Sequence, residues 1–313
     1  MEDSKYQTLP KVDEMKTISN DEMCHACGQT GMGGRKENQD TYGGFATDKM
    51  VILTVCDGMG GMAGGQTASY IAVTEIIKEL AETSEDQIGP DAIRRAVENA
   101  NGAIYQRASN EPSLRGMGTT TTILVLTRYA AYLTHIGDSR IYLIRKNRKS
   151  FRTFDHSKVF EMVSQGLMTE EQARQSSFSN IITKALGIRP KVEVEVLTLP
   201  YKKGDRFILC CDGIWNTEPE AEILKLFTFD KSPEITIKKL TDYVNSKGIE
   251  RGGDYDNLTA IIADMKIKSK YQYSVFHYIK LYFLSVGKNI KKCLSYISNC
   301  CYEENSDWSS KRQ

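Results

Sequence analysis

The sequence contains no uninterrupted apolar run of about 18 residues, the length that a membrane-spanning helix requires. Its first residues are acidic and polar without an apolar centre, so no secretory signal peptide is recognisable. Lysine and arginine number 41 against 40 acidic residues, so the chain lacks the basic excess of nucleic-acid-binding domains. Internal repeats and Pro-, Gln- or Ser-rich tracts are also absent. These absences favour an ordinary globular protein whose default partner is not nucleic acid.

The cysteine pattern argues against both disulfide bridges and a structural zinc site. Of the eight cysteines, Cys56, Cys210 and Cys211 lie inside apolar, strand-like runs, where a small buried thiol is the ordinary interpretation. Cys24 and Cys27 form a C-x-x-C pair, but no second pair with zinc-site spacing follows. On a strand the two side chains also point to opposite faces. We therefore predict a strand at this pair and a reducing, cytoplasmic location.

Composition divides the chain of 313 residues into three parts. Residues 1–20 are polar, lack a sustained period and predict a flexible leader. Residues 21–268 hold the periodic apolar segments and predict the main, catalytic domain. Residues 269–313 mix aromatic and aliphatic residues with lysines, which predicts an amphipathic helical tail whose apolar side needs a partner. Docking on its own domain or on a second copy is favoured over another protein, and a membrane surface is favoured least.

Apolar runs rich in β-branched residues predict strands at 51–56, 119–126, 131–137, 206–211 and 258–265. Apolar residues at three- and four-residue spacing predict helices at 66–81, 91–108, 221–227 and 233–244. The middle strands follow one another through short connections, which favours antiparallel pairing with helices laid outside. The pattern predicts a layered α+β body rather than a doubly wound parallel sheet.

Four aspartates lie at the ends of predicted apolar strands, where an ionised group is energetically unfavourable: Asp57, Asp138, Asp212 and Asp256. If these strand ends meet at one rim, the charges repel one another unless cations lie between them. The ligands are oxygens without histidine or cysteine, which favours Mg²⁺, Mn²⁺ or Ca²⁺ over Zn²⁺ or Cu²⁺. Two Mg²⁺ or Mn²⁺ ions, ~3.5–4 Å apart, activate a shared water for in-line attack on a phosphoryl group. The sequence therefore predicts a two-metal hydrolytic site.

The glycine-rich stretch DGMGGMAGG at 57–65 has competing interpretations. An isolated Asp-Gly is usually a turn, whereas beside a metal ligand the missing Cβ lets backbone approach an ion. Gly58 to Ala63 also satisfies the G-x-G-x-x-A fingerprint of dinucleotide sites. That fingerprint requires an acid about 20 residues later at the end of a second strand, and Glu79 falls inside a predicted helix. The metal interpretation is therefore favoured.

Eight motifs follow one another along the chain: RKENQD (35–40), VCDGMGG (55–61), GMGTTTT (116–122), HIGDSRIYL (135–143), DHS (155–157), NIITKALG (180–187), ILCCDGIWN (208–216) and DNLTAII (256–262). In this order they closely resemble the metal-dependent protein phosphatase 2C (PPM) family in its bacterial form, over residues 23–267. The resemblance implies a central antiparallel β-sandwich flanked by helices, in four α-β-β-α layers. It also implies hydrolysis of phosphoserine and phosphothreonine in proteins with two Mg²⁺ or Mn²⁺ ions and a third, weaker one.

The resemblance implies metal ligands at one backbone carbonyl and five carboxylates: Gly58, Asp40, Asp57, Asp138, Asp212 and Asp256. In this assignment Asp57 bridges the two ions, and Asp212 and Asp256 complete the first site. Asp40 resembles the acid that holds metal-bound water, and Asp138 resembles the ligand of the third ion.

Three residues bear on catalysis beyond the metals. Arg35 matches the arginine that grips the substrate phosphate with its forked guanidinium, so the implied catalytic set is Arg35, Asp40 and Asp57. Gln39 stands where many eukaryotic relatives have Glu, which removes one negative charge. Met59 stands where they use His as general acid, so the leaving group must take its proton from metal-bound water or another group.

The segment 157–180 resembles the flap of the bacterial members and predicts an amphipathic helix pair that moves over the site, with ordinary surface packing as the alternative. His156, which precedes it, is interpreted as structural. The implied partners are phosphorylated proteins and a cognate serine/threonine kinase. Two rival functions stay open: a phosphatase of small phosphomonoesters, and a non-catalytic phosphoprotein-binding module, which the retention of Asp57, Asp212 and Asp256 disfavours.

Overall fold

A computed structural model of the chain describes residues 12–20, 22–61, 64–179, 181–229 and 231–272. Its strands are β1 Lys16–Asn20, β2 Cys24–Gly31, β3 Asp40–Ala46, β4 Met50–Met59, β5 Gly118–Thr119, β6 Thr121–Thr127, β7 Ala131–Ile136, β8 Arg140–Arg145, β9 Arg148–Arg152, β10 Leu197–Leu199, β11 Arg206–Cys210 and β12 Leu258–Met265. Its α-helices are α1 Gly64–Glu82, α2 Pro90–Asn110, α3 Lys158–Ser164, α4 Glu170–Arg174, α5 Asp212–Trp215, α6 Glu220–Phe227 and α7 Pro233–Glu250. The predicted strands and helices are confirmed, with small shifts at their ends.

The strands form two sheets in which the described neighbours pair antiparallel. The first sheet has the order β1-β2-β12-β11-β8-β9. The second has the order β10-β7-β6-β4-β3, and the short β5 adds to β4. The last strand of the described residues, β12, thus lies between β2 and β11 in the interior of the first sheet.

Successive side chains along each strand point to opposite faces of its sheet, and this alternation builds the layers of the fold. On β4, Val51 and Leu53 face the other sheet, whereas Ile52 and Cys56 face the helices α1 and α2. On the far side, α6 and α7 cover the first sheet with a third apolar cluster. The order of layers is helices, sheet, sheet, helices. The predicted four-layer α-β-β-α sandwich is therefore confirmed.

The prediction of a flexible leader over 1–20 is wrong for residues 16–20. They form β1 and pair with β2, from Lys16 opposite Gly28 to Asn20 opposite Cys24. Only Ile18 of this strand enters the core between the sheets, so the apolar pattern was too short to stand out from its polar surroundings. Residues 1–11 and the greater part of the predicted tail, 273–313, lie outside the described residues.

The C-x-x-C pair lies on a strand, as predicted. Cys24 faces the core between the sheets and Cys27 faces the layer of α6 and α7. All five cysteines within the described residues are free, buried thiols. In the same part of the chain, no helix combines the length and apolarity needed to span a bilayer.

Gly28 on β2 lies beneath the buried ring of Tyr42, whose hydroxyl donates to the Gly28 carbonyl at 2.7 Å. A Cβ at this position would come within 2.3 Å of Tyr42 Cε2. We expect Gly28→Ala to lower the free energy of unfolding by about 1–3 kcal/mol, because the sandwich core must open to admit the methyl group. Urea denaturation measures the change.

The matched control is Gly102→Ala in α2, where an added Cβ would meet nothing within 4 Å. Alanine inside a helix is expected to raise the free energy of unfolding by about 0.5–1 kcal/mol. A Gly28→Ala protein as stable as the wild type would contradict the predicted overpacking.

Candidate metal centre

The hairpin of β3 and β4 sets two acids face to face, because its register pairs Asp40 with Asp57. Like charges directly opposite on neighbouring strands destabilise a sheet. The Asp57 backbone is nevertheless firmly held: its N–H donates to Thr120 Oγ1 at 3.0 Å, and its carbonyl accepts from the Thr120 N–H at 2.8 Å. Sheet pairing thus maintains an arrangement that the carboxylates alone would oppose.

The first sheet supplies two further acids from neighbouring strands. Asp212 begins α5 two residues after β11 ends, and Asp256 lies two residues before β12 begins. Because β11 and β12 run antiparallel, the end of one lies beside the start of the other. The Cys211 N–H donates to the Thr259 carbonyl at 3.0 Å, which ties the two connections together.

The acids of the two sheets lie close enough for their charges to perturb one another. Burial raises the pKa of Asp40 to about 7. Hydrogen bonds from Thr259 and Cys211 oppose this shift in pKa, and the charges of Asp212 and Asp256 add to it. The sequence motifs had assigned no role to Thr259 or to the Cys211 thiol.

The other acids are perturbed in the same direction. Burial, followed by the charges of Asp40 and Asp212, holds the pKa of Asp57 well above its ordinary value. Burial and then Asp256 raise the pKa of Asp212 to about 6, against a hydrogen bond that it shares with Asp57. Asp138 follows β7, and burial and the charge of Asp212 hold its pKa well above the usual range. The structure therefore brings the five predicted aspartates together.

Two oxygens of this cluster, Asp40 Oδ2 and Asp212 Oδ1, are the only buried side-chain polar atoms among the described residues without a hydrogen-bond partner. A buried carboxylate oxygen without a partner is costly, and a hard divalent cation is the partner that its chemistry fits. As the side chains stand, no group of three or more His, Cys, Asp or Glu in the described part of the chain could hold a metal ion. The donor chemistry of these carboxylate oxygens fits Mg²⁺ or Mn²⁺, although their present positions do not form a complete set of ligands.

Gly58 follows Asp57 where two backbone segments approach closely. Its N–H donates to the Gln39 carbonyl at 3.1 Å, and a Cβ would lie 2.1 Å from the Gly65 carbonyl oxygen. Any larger residue would push the start of α1 away from the acids. Gln39 Nε2 also donates to the Gly60 carbonyl at 3.3 Å. The neutral amide of Gln39 thus helps to hold the glycine loop.

Arg35 lies at the rim of the cluster with its side chain 50% exposed. Its Nε and Nη2 atoms donate to the two oxygens of Asp256, at 3.3 and 3.0 Å. The residue predicted to grip phosphate is therefore paired with a residue predicted to bind metal. A cationic side chain partly balances the negative charge of the cluster.

Sequence reasoning missed Asn257, although it directly follows Asp256 in a quoted motif. Its Oδ1 accepts from the Gln39 N–H at 2.9 Å, and its Nδ2 donates to the carbonyls of Met32 and Glu37 at 2.7 and 3.0 Å. These three bonds hold both ends of the loop that carries Arg35. Asn257 therefore fixes the position of the guanidinium relative to the acids.

The rings of His135 and His156, near Asp138, are stacked, with centroids 4.5 Å apart and an interplanar angle of 8°. The Gly137 N–H donates to His156 Nδ1 at 3.2 Å. Burial, followed by the neighbouring His135 and Lys184, lowers the pKa of His156 to about 3, so the ring is neutral at physiological pH. These contacts agree with a structural role for His156, as a support for the turn before Asp138.

Comparisons with known sequences agree with this geometry. A family model described as protein phosphatase 2C matches residues 27–245. The serine/threonine phosphatase stp of Listeria innocua is 32% identical over 240 residues, which cover 75% of this chain and 93% of that protein. The serine/threonine protein phosphatase PstP of Mycobacterium tuberculosis is 33% identical over 235 residues, which cover 74% of this chain and 43% of that protein.

Solved structures give the same result. The crystal structure of the M. tuberculosis serine/threonine phosphatase PstP/Ppp matches with a TM-score of 0.69 and 29% identity, covering 78% of this chain and 99% of that one. The catalytic domain of PstP in complex with two manganese ions matches with a TM-score of 0.65 and 28% identity, covering 78% and 98%. The resemblance inferred from the eight motifs is confirmed, and the chain belongs to the protein phosphatase 2C family.

Proposed function

We propose that the protein is a metal-dependent phosphatase that removes phosphate from phosphoserine and phosphothreonine in proteins. The observation that carries the proposal is the cluster of five aspartates, with two buried oxygens that lack partners and one arginine at its rim. The names of its relatives, serine/threonine phosphatases that cover most of this chain, support the same activity. A relative with two bound manganese ions supports the cofactor.

In this proposal Asp57, as the shared ligand, would hold two Mg²⁺ or Mn²⁺ ions together with Asp212, Asp256 and the Gly58 carbonyl. Asp138 would hold a third, weaker ion, and Asp40 would act beside Asp57 from the opposite strand. When bound, the ions lower the pKa of water and neutralise charge on the phosphoryl group.

Arg35 orients the phosphate in this proposal. Its guanidinium offers two parallel N–H donors, which now bind the Asp256 carboxylate and match two phosphate oxygens equally well. If Asp256 instead held a cation, the Arg35 fork would be available to the substrate phosphate. Asn257 keeps it at the rim by holding the ends of its loop.

We expect Arg35→Ala to lower kcat/KM for a phosphothreonine peptide by about 10- to 100-fold, the loss that follows removal of a charge-assisted hydrogen bond. Arg35→Lys restores the charge without the fork, so its activity should fall between the two. Steady-state kinetics at saturating Mn²⁺ measures both. Arg148→Ala, at the exposed first residue of β9, is the control that should match the wild type. An Arg35→Ala enzyme with unchanged kcat/KM would contradict the assignment.

We further propose phosphorylated proteins as substrates, a cognate serine/threonine kinase as partner, and a cytoplasmic location. The free thiols at all five described cysteines support a reducing compartment. The main rival is hydrolysis of small phosphomonoesters at the same centre.

The test is phosphate release with added Mn²⁺, with and without EDTA, from a phosphothreonine protein and from free phosphothreonine. The proposal expects the wild type to release phosphate from the protein substrate. EDTA should abolish this release, and the Asp212→Asn variant should lack it. Asp48→Asn, an exposed acid in the turn between β3 and β4, is the matched control. Turnover in EDTA would refute the metal mechanism, and preference for free phosphothreonine would favour the rival.

A further inference from the structure

Two buried threonines lie opposite each other on interior strands of the first sheet. Thr30 of β2 pairs with Thr259 of β12. Ala26 on β2 and Ile261 on β12 belong to the core between the sheets. Because side chains alternate along a strand, the two threonines point to that same inward face. Two buried hydroxyls beside an apolar core need hydrogen-bond partners.

Asn38 fixes the first bond of a chain that runs through these hydroxyls. Its Oδ1 accepts from the Asp40 backbone N–H at 3.1 Å, which settles which amide atom is the oxygen. The Asn38 Nδ2 therefore faces Thr30 Oγ1, to which it donates at 2.8 Å. An amide nitrogen only donates, so Thr30 is the acceptor in this bond.

The direction of the remaining bonds follows from this one. Thr30 accepts from Asn38, so its own proton is available to Thr259 Oγ1, 2.7 Å away. Thr259 then accepts from Thr30, and its proton goes to the Asp40 carboxyl group, with which its side chain is hydrogen-bonded. Each hydroxyl thus accepts on one side and donates on the other, an arrangement in which neighbouring bonds strengthen one another.

The chain of bonds begins and ends on Asp40, which gives its backbone N–H to Asn38 and receives the Thr259 hydroxyl on its carboxyl group. All four members are buried. Asp40 belongs to the second sheet, where it lies opposite Asp57. Two interior strands of the first sheet therefore set the orientation of a carboxyl group on the second.

The Asp40 carboxyl group nevertheless keeps one buried oxygen, Oδ2, without a hydrogen-bond partner among the described residues. An unrestrained carboxyl group would turn to share its donors between both oxygens, so the group must be held in place. The Cys211 side chain is the other donor to Asp40. Its thiol is a weaker donor than a hydroxyl, and it also lies 3.4 Å from the Asn257 carbonyl. Thr259 is therefore the main restraint.

We propose that Thr259, with Thr30 behind it, is a positioning residue for Asp40 in the phosphatase reaction. The directed chain of hydrogen bonds holds the carboxyl group in one orientation and leaves Oδ2 for a ligand in the metal centre. Both threonines are buried inside the sandwich and do not touch substrate, so their loss should lower kcat and leave KM unchanged. The inference rests on the proposed function.

Thr259→Val tests the chain, because valine has nearly the shape of threonine and lacks the hydroxyl. We expect kcat for a phosphothreonine peptide with Mn²⁺ to fall about tenfold at unchanged KM, and Mn²⁺ affinity by isothermal titration to fall about three- to fivefold. Thr259→Ser keeps the donor and should stay within about threefold of the wild type in kcat. Thr30→Val breaks the chain one bond earlier and should lower kcat about threefold.

Thr134→Val is the matched control, because its buried hydroxyl donates to the Glu195 carbonyl at 2.7 Å and has no part in the chain. It should lower the melting temperature in EDTA and leave kcat and Mn²⁺ affinity unchanged. A double-mutant cycle with Asp40→Ala separates positioning from packing. If Thr259 acts through Asp40, adding Thr259→Val to Asp40→Ala should not weaken Mn²⁺ binding further.

The proposal is overturned if Thr259→Val keeps the wild-type kcat and Mn²⁺ affinity, or if Thr259→Ser is as impaired as Thr259→Val. Additive losses in the cycle, or an equal loss of kcat in Thr134→Val, would also overturn it. Should Thr259→Val fail to fold, Thr30→Val provides the same comparison with Asp40→Ala. A wild type without Mn²⁺-dependent turnover would instead refute the proposed function.

Discussion

Replacing Asp57 by Asn will lower phosphate release from a phosphothreonine peptide by about a thousandfold or more, because the carboxylate proposed to bridge the metal ions is lost. The same substitution will raise the melting temperature of the metal-free protein by a few degrees. In the hairpin register Asp57 lies opposite Asp40, and the charges of Asp40 and Asp212 reach it as well. Removing one negative charge relieves that repulsion, so activity and stability should change in opposite directions.

Phosphate release with Mn²⁺ and calorimetry in EDTA measure the two effects on one preparation. Asp48→Asn removes an exposed acid from the turn of the same hairpin and should change neither quantity. An Asp57→Asn protein that retains activity would refute the bridging role. An Asp57→Asn protein with a lower melting temperature than the wild type in EDTA would show that repulsion among the aspartates does not destabilise the metal-free protein.

Lowering the pH from 8 to 6 will weaken Mn²⁺ binding to the metal-free protein by about a hundredfold, because metal ligands must lose their protons first. The pKa of Asp40 is raised to about 7 and that of Asp212 to about 6, and the pKa of Asp57 is held well above its ordinary value. Isothermal titration in buffers of different ionisation enthalpy counts the released protons. Binding without proton release at pH 7 would contradict the prediction.

The same shifts in pKa predict how stability depends on pH without metal. Unfolded aspartates have a pKa of about 4, so between about pH 4 and 7 the folded cluster binds more protons than the unfolded chain. The stability that these acids contribute is therefore greatest at low pH and is lost as the pH rises towards 7. Urea denaturation in EDTA at pH 5.5 and 7.5 should show this difference, and Asp57→Asn should reduce it. An equal or larger difference in the variant would assign the dependence to other groups.

The positions of Asp57, Asp138, Asp212 and Asp256 were predictable because each borders an apolar run that predicts a strand, whereas Asp40 was placed only by the resemblance to the family. Asp57 and Asp212 follow such runs directly, and that information is local. The face-to-face pairing of Asp40 and Asp57 depends on hairpin register, which the sequence states only indirectly. The pairing of Arg35 with Asp256 joins residues 221 positions apart.

Contacts between motifs were the part that sequence could not supply. The bond from Trp215 to the Asp138 carbonyl exists only once the sheets have docked, and neither residue carries a local sign of it. Strand β1 was missed because its polar residues outnumber its single core residue. Asn257 was visible beside Asp256, but its role depends on a loop that begins more than 200 residues earlier.

The position of β12 inside the first sheet determines when a chain under synthesis can first become active. Asp40 and Asp57 come from the second sheet, Asp212 and Asp256 from the first, and the strand that follows Asp256 inserts between two strands made before it. A ribosome-bound chain halted before residue 258 thus has an unfilled slot in the middle of one sheet. We expect such a nascent product to be inert towards phosphoproteins, so that dephosphorylation starts only after translation of the whole sandwich.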